Sequence, residues 1–271
     1  YDVVRRLERL PDAHPDDLGV PELVLPLASD VAVLDHHTGE VWLIANAINF
    51  DASAERVDEA YADAVARVHA MADALTRPAP PLVAVPGNPE ELPEPVRQRS
   101  RESFEAAVRE AVAEIHAGEA FQVVVSQRFS TPCAADALDV YRVLRRTNPS
   151  PYLYLLRLDG FAVVGSSPEA LVTVTAGQAV TRPIAGTRPR GASAARDAEL
   201  EAALLADPKE AAAHLMLVDL GRNDLGRVCR PGSVAVVEFM KVRRYSHVMH
   251  LEAAVTGEAL PGATALDVTL S

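Results

Sequence analysis

The sequence DPKEAAAHLMLVDLGRNDLGR, residues 207–227, has the clearest secondary-structure signals in the chain. Asp207 suits the N-cap of a helix and Pro208 its first position, and Glu210, three residues after the cap, predicts a capping box. Gly221 is predicted to end the helix. The apolar positions that recur at helical spacing are Ala211, Leu215, Val218 and Leu220. The polar residues expected at the helix end are Asp219, Arg222, Asn223 and Asp224.

Two polar side chains of this helix lie on one face. Glu210 and His214 are four residues apart, which places a carboxylate beside an imidazole. Such a pair can bind a metal ion or exchange protons. Spacing alone favours a simpler interpretation, in which Glu210 caps the helix and His214 is a hydrogen-bonded core residue.

Length and composition limit the class of protein. The chain has 271 residues, which is the size of one large domain or two small ones. Apolar residues make up 49% and charged residues 24%, as is usual in globular proteins. The net charge of -12 argues against non-specific nucleic-acid binding, because a phosphate backbone would be repelled. No apolar run of about 18 residues is present, so the sequence predicts no membrane span.

The cysteines and the chain ends suggest a location and a boundary. Cys133 and Cys229 form neither a disulfide framework nor a metal-binding spacing, which predicts a reducing, cytoplasmic compartment. The chain opens abruptly at Tyr1 and stops at Ser271, inside what resembles the start of a helix. We therefore expect it to be a fragment of a longer protein.

A proline-rich stretch divides the chain. Before it, residues 31–34 and 41–48 predict a hairpin, and residues 53–75 an amphipathic helix. Residues 77–97 contain seven prolines, which predicts an extended linker. The sequence thus predicts an N-terminal region over residues 1–76, the linker, and a larger region over residues 98–271.

Helices and hairpins alternate after the linker. The predicted helices cover residues 100–116, 137–146 and 194–205. The predicted strands cover residues 121–129, 152–158, 161–164, 170–175, 178–184, 234–239, 241–245 and 248–255. The run FQVVVSQRF, residues 121–129, is apolar enough for the centre of a sheet. Several antiparallel hairpins predict an α+β fold instead of a doubly wound parallel sheet.

Three polar groups are candidates for a site. GSSPE, residues 165–169, is either a site loop or a turn with a capping serine. RPIAGTRPRG, residues 182–191, has the arginines and glycines that bind carboxylates, and it can equally be a basic surface loop. In SHVMH, residues 246–250, strand alternation places His247 and His250 on opposite faces, so at most one points into a given cleft.

Six motifs in order resemble a known family. They are FQVVVSQRF, NPSPYLYLL, VGSSPEALV, TRPIAGTRPRG, residues 207–227 and YSHVMHLEAAVTG, and the resemblance covers essentially the whole chain. The sequence closely resembles component I of anthranilate synthase, among the chorismate-utilising enzymes. The resemblance implies a two-sheet α+β sandwich, here incomplete, with the active site in a cleft between the sheets. It implies a lyase of tryptophan biosynthesis that converts chorismate and ammonia to anthranilate and pyruvate. It also implies Mg²⁺, a separate glutamine amidotransferase subunit that supplies ammonia, and tryptophan as feedback inhibitor.

The resemblance assigns catalytic roles. Glu169 matches the general acid that protonates the leaving 4-hydroxyl, since hydroxide is a poor leaving group. Gln122 stands where water-using relatives have a lysine base, and Ala185 where relatives that attack the substrate covalently have a lysine. Both positions favour ammonia as the nucleophile. His250 matches the histidine linked to pyruvate elimination. The resemblance also places Thr187 among the catalytic positions.

The resemblance also assigns binding residues. The substrate-binding positions are Ala185, Gly186 and Thr187. Glu210 matches the first glutamate of the metal-helix pattern K-E-x-x-E-H. The stretch that matches part of the tryptophan pocket is Asn148, Pro149, Ser150, Pro151 and Tyr152.

The sequence departs from the family pattern at several positions. The second glutamate of K-E-x-x-E-H, a Mg²⁺ ligand, is Ala213, and a methyl group cannot coordinate a hard cation. Glu252-Ala253 stands where relatives have an apolar residue and a serine. Later substrate contacts and metal-binding glutamates of the family would follow Ser271. We therefore expect residues 1–271 alone to be inactive. Two alternatives are an aminodeoxyisochorismate synthase, which stops after amination, and a truncated or degenerate homologue without catalysis.

Overall fold

The computed structural model describes residues 2–11, 15–51, 53–78 and 93–271. The chain divides into two compact units, Tyr1–Pro81 and Leu82–Ser271. The division falls in the predicted linker, of which residues 79–92 lie outside the described part.

The first unit is a hairpin packed on a helix. A 3₁₀ helix, Asp2–Arg6, precedes the antiparallel strands β1 (Asp30–Leu34) and β2 (Val41–Ala45), and helix α1 (Val57–Leu75) follows. Arg67 of α1 forms ion pairs with Asp30 and Asp63 and donates a 2.9 Å hydrogen bond to the carbonyl oxygen of Asn46. This arginine therefore ties the helix to the hairpin. The predicted hairpin and helix are confirmed.

The second unit contains the remaining elements. Its helices are α2 (Arg101–Ala117), α3 (Ala137–Thr147), α4 (Ala194–Leu205), α5 (Pro208–Val228) and α6 (Ala265–Thr269). Its first strands are β3 (Val96–Arg97), β4 (Phe129–Ser130), β5 (Tyr152–Leu158), β6 (Phe161–Ser167) and β7 (Thr173–Thr175). They are followed by β8 (Gln178–Thr181), β9 (Ile184–Pro189), β10 (Ala235–Arg244) and β11 (Val248–Glu258). The predicted α+β class is confirmed.

Strand β11 is the centre of the main sheet. It pairs antiparallel with β10 on one side and with both β8 and β9 on the other, and β7 extends the sheet from β8. Met249, Leu251, Ala253 and Val255 are buried, and they pack in clusters with residues of α4 and α5. Because side chains alternate along a strand, His250 and Glu252 face the opposite side of the sheet.

Helix α5 begins as predicted and ends later. Asp207 accepts hydrogen bonds from the backbone N–H groups of Lys209 and Glu210, at 3.0 and 3.3 Å. The helix continues through Gly221 to Val228, so the prediction that Gly221 ends it is wrong. A Cβ at residue 221 would lie 3.0 Å from Cγ2 of Thr181. The glycine thus permits close contact between helix and sheet.

The buried face of α5 also differs from the prediction. His214, Val218 and Leu225 are buried, whereas Leu215 is 56% exposed and Leu220 49% exposed. The four polar residues expected beyond the helix, Asp219, Arg222, Asn223 and Asp224, lie within it. The face of α5 that packs against the sheet therefore differs from the face that its apolar residues predict.

The predicted central strand at residues 121–129 is wrong. Only Phe129 and Ser130 form a strand, β4, which pairs with β3. No strand of the described residues pairs with residues 121–128, and Phe121 is 90% and Val124 82% exposed. An apolar run becomes a strand only where a neighbouring strand satisfies its backbone groups, so composition alone is insufficient.

Candidate active site

The ladder between β9 and β11 brings Thr187 and His250 together. The two residues are paired in the register, and Nδ1 of His250 lies 3.0 Å from Oγ1 of Thr187. The same nitrogen lies 3.1 Å from the carbonyl oxygen of Gly186. Because a carbonyl oxygen only accepts, the contact with Gly186 requires a proton on Nδ1. A neutral His250 in this tautomer has Nε2 as its proton-accepting atom.

Gly186 makes this arrangement possible. Its φ of +63° lies in the left-handed region, which glycine adopts without strain. A Cβ at this position would lie 2.9 Å from Cδ1 of Leu204 and 3.3 Å from Cβ of Glu210. The neighbouring Ala185 is half-buried and pairs with Leu251. The predicted substrate-binding residues 185–187 therefore form one segment between β11 and the start of α5.

The second histidine of SHVMH has a different environment. His247 precedes β11, and its Nε2 lies 2.8 Å from the carbonyl oxygen of Thr147 at the end of α3. His250 alone of the two lies in the β9–β11 ladder. This agrees with the expectation that at most one of them points into a given cleft.

Glu169 lies in the turn after β6. The hydroxyl of Ser167 accepts a 3.3 Å hydrogen bond from the N–H of Glu169 and donates a 2.9 Å bond to its carbonyl oxygen. The Glu169 carboxyl also accepts a hydrogen bond from the backbone N–H of Ile184. Glu169 thus lies over the start of β9, two residues before Gly186.

Glu169 also lines an open cleft of about 550 Å³. The other lining residues come from the β6–β9 region and from α5, and include Ser167, Thr181, Ile184, Leu217, Gly221 and Asp224. Partial burial of the carboxyl raises the pKa of Glu169; the Ile184 hydrogen bond lowers that pKa, and the negative charge of Glu252 raises it. A raised pKa is what a carboxyl group needs to deliver a proton near neutral pH.

A cluster of charged side chains lies beside the site. We call it the β10–β11 charge cluster, and its members are Arg182, Glu238, Lys241, Arg243 and Glu252. Glu252 is only 7% exposed, and its Oε1 lies 3.3 Å from Nε of Arg243 and 3.5 Å from Nη1 of Arg182.

Tyr245 connects the cluster to His250. Its hydroxyl donates a 3.3 Å hydrogen bond to Oε2 of Glu252, and its ring meets the His250 ring edge-on at a centroid distance of 5.6 Å. Burial raises the pKa of Tyr245, and the charges of Glu252 and Glu169 raise it further. The charge of Glu169 therefore affects the pKa of Tyr245, and the ring of Tyr245 contacts the ring of His250. Sequence analysis missed Tyr245, although it lies in the YSHVMH motif.

Glu210 and His214 do not form a pair. The Glu210 carboxylate lies 3.3 Å from Nζ of Lys209 and 3.9 Å from Nη1 of Arg188. His214 is fully buried, packs against the ring of Phe239, and neither ring nitrogen has a hydrogen-bond partner among the described residues. Burial lowers the pKa of His214. The predicted burial of His214 is confirmed, but its predicted hydrogen bonding is wrong. The predicted capping box is also wrong, because the Glu210 carboxylate faces Lys209 and Arg188.

The described residues do not by themselves fit a Mg²⁺ site. At position 213 a half-buried methyl group replaces a carboxylate, and the remaining carboxylate, Glu210, is engaged by cations. No group of three or more potential ligand side chains occurs among the residues that the structure describes. Mg²⁺ prefers six oxygen ligands, so one carboxylate is a poor donor set.

The remaining predicted site residues lie apart from Glu169 and His250 or at the edge of the candidate site. Gln122 is exposed in the stretch outside any ladder, and no described hydrogen bond joins it to Glu169 or His250.

The stretch 148–152 contacts the end of β6, because Ser166 donates a 2.8 Å hydrogen bond to the carbonyl oxygen of Asn148 and Ser150 donates a 2.7 Å bond to that of Ser167. Pro149 lies between these two contacts, Pro151 follows them, and Tyr152 pairs with Ser167 in the β5–β6 hairpin. This stretch is therefore joined to the turn that holds Glu169.

Comparison with known proteins gives one consistent result. A family model described as chorismate binding enzyme matches residues 1–270. Anthranilate synthase component 1 of Mycolicibacterium smegmatis is 58% identical over 273 residues, which cover 98% of this chain and 52% of that protein. The protein of that name from Arthrobacter globiformis is 50% identical, covering 99% of this chain and 52% of its own length.

A solved structure agrees with these relatives. Anthranilate synthase component I from Streptococcus pneumoniae TIGR4 superposes with a TM-score of 0.70 at 35% identity, covering 89% of this chain and 51% of that one. The chain thus spans about half the length of the curated relatives that it matches. None of the helices in the described part is both long enough and apolar enough to cross a membrane.

Proposed function

The chain belongs to the chorismate binding enzyme family, and we propose that the protein is component I of an anthranilate synthase, which converts chorismate and ammonia to anthranilate and pyruvate. The observation that carries the proposal is that β9 joins the surroundings of the predicted general acid to the predicted elimination residue: Ile184 lines the same cleft as Glu169, and Thr187 contacts Nδ1 of His250 at 3.0 Å. The names of the relatives support the same activity.

The first chemical step uses Glu169. Ammonia adds to the chorismate ring while the 4-hydroxyl leaves, and Glu169 supplies the proton that turns this hydroxyl into water. The raised pKa of Glu169 keeps a larger fraction of the carboxyl protonated for this transfer. Gln122 and Ala185 support ammonia as the nucleophile, because neither side chain can act as the lysine base or the lysine nucleophile of other family members.

The second step uses His250. A ring proton is removed, the bond between the ring carbon and the ether oxygen breaks, and the enolate that leaves takes up a proton to become pyruvate. With Nδ1 bound to Thr187 and Gly186, Nε2 is the atom of His250 that can take up a proton. Thr187 and Gly186 fix the orientation of the ring.

We also propose the partners and conditions implied by this activity. A separate glutamine amidotransferase supplies ammonia, and tryptophan binds at residues 148–152 as a feedback inhibitor; the hydrogen bonds from this stretch to the β6 end support a path to Glu169. The free cysteines Cys133 and Cys229 fit a reducing cytoplasm. We propose Mg²⁺ as cofactor of the complete protein, with Glu210 as this chain's contribution; the donor set of the described residues does not by itself fit the ion.

The test is a product assay with the full-length protein, chorismate and ammonium. Anthranilate fluorescence with one pyruvate per anthranilate is the expected result. An aminated product without pyruvate would instead identify an aminodeoxyisochorismate synthase. Chorismate binding without any product would identify a non-catalytic homologue.

A further inference from the structure

A buried carboxylate beside the candidate site has no role in the chemistry described above. Glu252 lies on the His250 face of β11 and is 7% exposed. A carboxylate this buried is costly unless charged or polar partners surround it. Its partners are Arg182, Arg243 and Tyr245, and the last of these touches His250. Burial of the Glu252 carboxylate therefore depends on the three polar and charged side chains that surround it.

The sheet register places Glu252 next to the residue that holds Glu169. Glu252 pairs directly with Ile184 in the β9–β11 ladder. Opposed residues of an antiparallel ladder have Cα atoms about 4.5–5.5 Å apart. Ile184 in turn lines the same cleft as Glu169. Glu252 is thus paired with a residue that shares a cleft with Glu169.

We propose that Glu252 is a positioning residue for Glu169: the negative charge of Glu252, held within the β10–β11 charge cluster, keeps the proton on the Glu169 carboxyl. This inference rests on the proposed role of Glu169 as the general acid. Like charges at close range disfavour a second ionisation, so the Glu252 carboxylate favours the neutral form of Glu169.

The composition of the cluster determines the direction of the effect. Arg182, Lys241 and Arg243 are cations, and Glu238 and Glu252 are carboxylates. Removing the charge of Glu252 leaves an excess of positive charge beside Glu169, which favours loss of its proton. Removing the charge of Arg182 has the opposite effect. The other ionisable groups near Glu169 or its cluster are Asp224 across the cleft, Tyr245 and His250.

The raised pKa of Glu169 is consistent with this geometry, since burial of the carboxyl raises it first and the negative charge of Glu252 raises it further. The Ile184 hydrogen bond acts in the opposite sense. Glu252 therefore offsets a backbone contact that would otherwise favour the carboxylate.

The experiment measures protonation of Glu169 directly. The full-length protein is labelled with ¹³C at glutamate side chains, the Glu169 carboxyl resonance is assigned with Glu169→Gln, and its titration is followed by NMR. In Glu252→Gln the amide oxygen still accepts from Tyr245, but the charge is gone. We expect the titration midpoint of Glu169 to fall by roughly half to one pH unit, a three- to tenfold loss of proton affinity.

Two further variants keep the test decisive. Arg182→Gln, at a residue whose side chain is 50% exposed, should move the midpoint upward, and this variant serves if Glu252→Gln does not fold. Glu258→Gln is the matched control, because Glu258 lies at the exposed end of the same strand and pairs with Arg230. If Glu252→Gln folds, an unchanged titration midpoint of Glu169 in this variant would overturn the inference. If Glu252→Gln does not fold, an unchanged midpoint in Arg182→Gln would overturn it.

The pH profile of chorismate turnover separates this inference from the proposed function. If the NMR midpoint and the alkaline limb of the profile shift together, both hold. If the midpoint shifts in protein that forms no anthranilate, the inference on Glu252 stands and the proposed function fails. A profile that shifts while the Glu169 resonance does not would contradict the inference.

Discussion

Nδ1 of His250 lies 3.0 Å from the hydroxyl oxygen of Thr187, across the pairing of β11 with β9. The same nitrogen contacts the carbonyl oxygen of Gly186 at 3.1 Å. These two contacts fix the ring and its tautomer. Substitution of Thr187 should therefore affect the step that depends on His250 more than the step that depends on Glu169.

Replacing Thr187 by Val removes the hydroxyl and keeps the shape of the side chain. We expect turnover to anthranilate to fall about tenfold, corresponding to one lost hydrogen bond of roughly 1.4 kcal/mol. The aminated intermediate should accumulate, since amination does not use His250. Chromatography of quenched reactions measures both species. Thr173→Val, on the exposed surface of β7, is the control, and equal effects of the two substitutions would contradict the role of Thr187.

Gly186 is expected to tolerate no side chain. Alanine there would adopt a left-handed backbone and place its Cβ 2.9 Å from Leu204, so we expect a loss of about 1–3 kcal/mol in the free energy of unfolding. Gly226→Ala, in helix α5 with nothing within 4 Å of the added Cβ, should instead stabilise by roughly 0.5–1 kcal/mol. Urea unfolding measures both, and a Gly186→Ala protein as stable as the wild type would show that the φ of +63° is not required.

Asp197 should make stability depend on pH in acid. Its pKa is lowered from 3.8 to about 2, chiefly by hydrogen bonds from Arg190 and from the backbone N–H of Gly191. A lowered folded-state pKa means that the stabilisation is complete above the unfolded pKa of 3.8 and is lost as pH falls toward 2. Asp197→Asn should thus be less stable than the wild type at pH 6.

The difference between Asp197→Asn and the wild type should narrow as pH falls through this window. Urea midpoints at several pH values measure it. Asp219→Asn is the control, because Asp219 is 77% exposed and forms only a surface pair with Arg222. A difference that stays constant between pH 6 and pH 2 would contradict the assignment.

Position 213 should control metal affinity. Residues 210 and 213 are neighbours on the surface of α5, so Ala213→Glu adds a second carboxylate beside Glu210. We expect Mg²⁺ to bind the full-length variant about tenfold more tightly or better, since affinity rises with the number of charged oxygen ligands. Calorimetric titration with Mg²⁺ measures this. Ala212→Glu, at an exposed position of the same helix, is the control, and equal affinities in both variants would show that residue 213 does not face the ion.

Local signals in the sequence were sufficient for several elements. Asp207 and Pro208 predicted the start of α5, and the two adjacent strand-like runs at residues 152–158 and 161–164 predicted the β5–β6 hairpin, because caps and turns depend on neighbours in the chain. The site residues of β9 and β11 were predicted through motifs, and the structure brings Gly186, Thr187 and His250 together.

Features that depend on distant neighbours were not predictable. Residues 121–127 have a strand-like composition, but no strand of the described residues pairs with them. Gly221 looked like a helix end, yet its function is to let α5 approach Thr181. The partners of Glu252 lie on β10, in the turn before β11 and between β8 and β9, so only the register reveals that Glu252 pairs with Ile184.

Glu169→Gln tests the central claim most directly. The variant keeps the size of the side chain and removes the transferable proton, so we expect anthranilate formation by the full-length protein to fall by roughly 10²–10⁴-fold. Chorismate should still bind, as measured by calorimetry, and Glu258→Gln should retain wild-type turnover. Anthranilate formation by Glu169→Gln at close to the wild-type rate would contradict the assignment of Glu169 as the general acid.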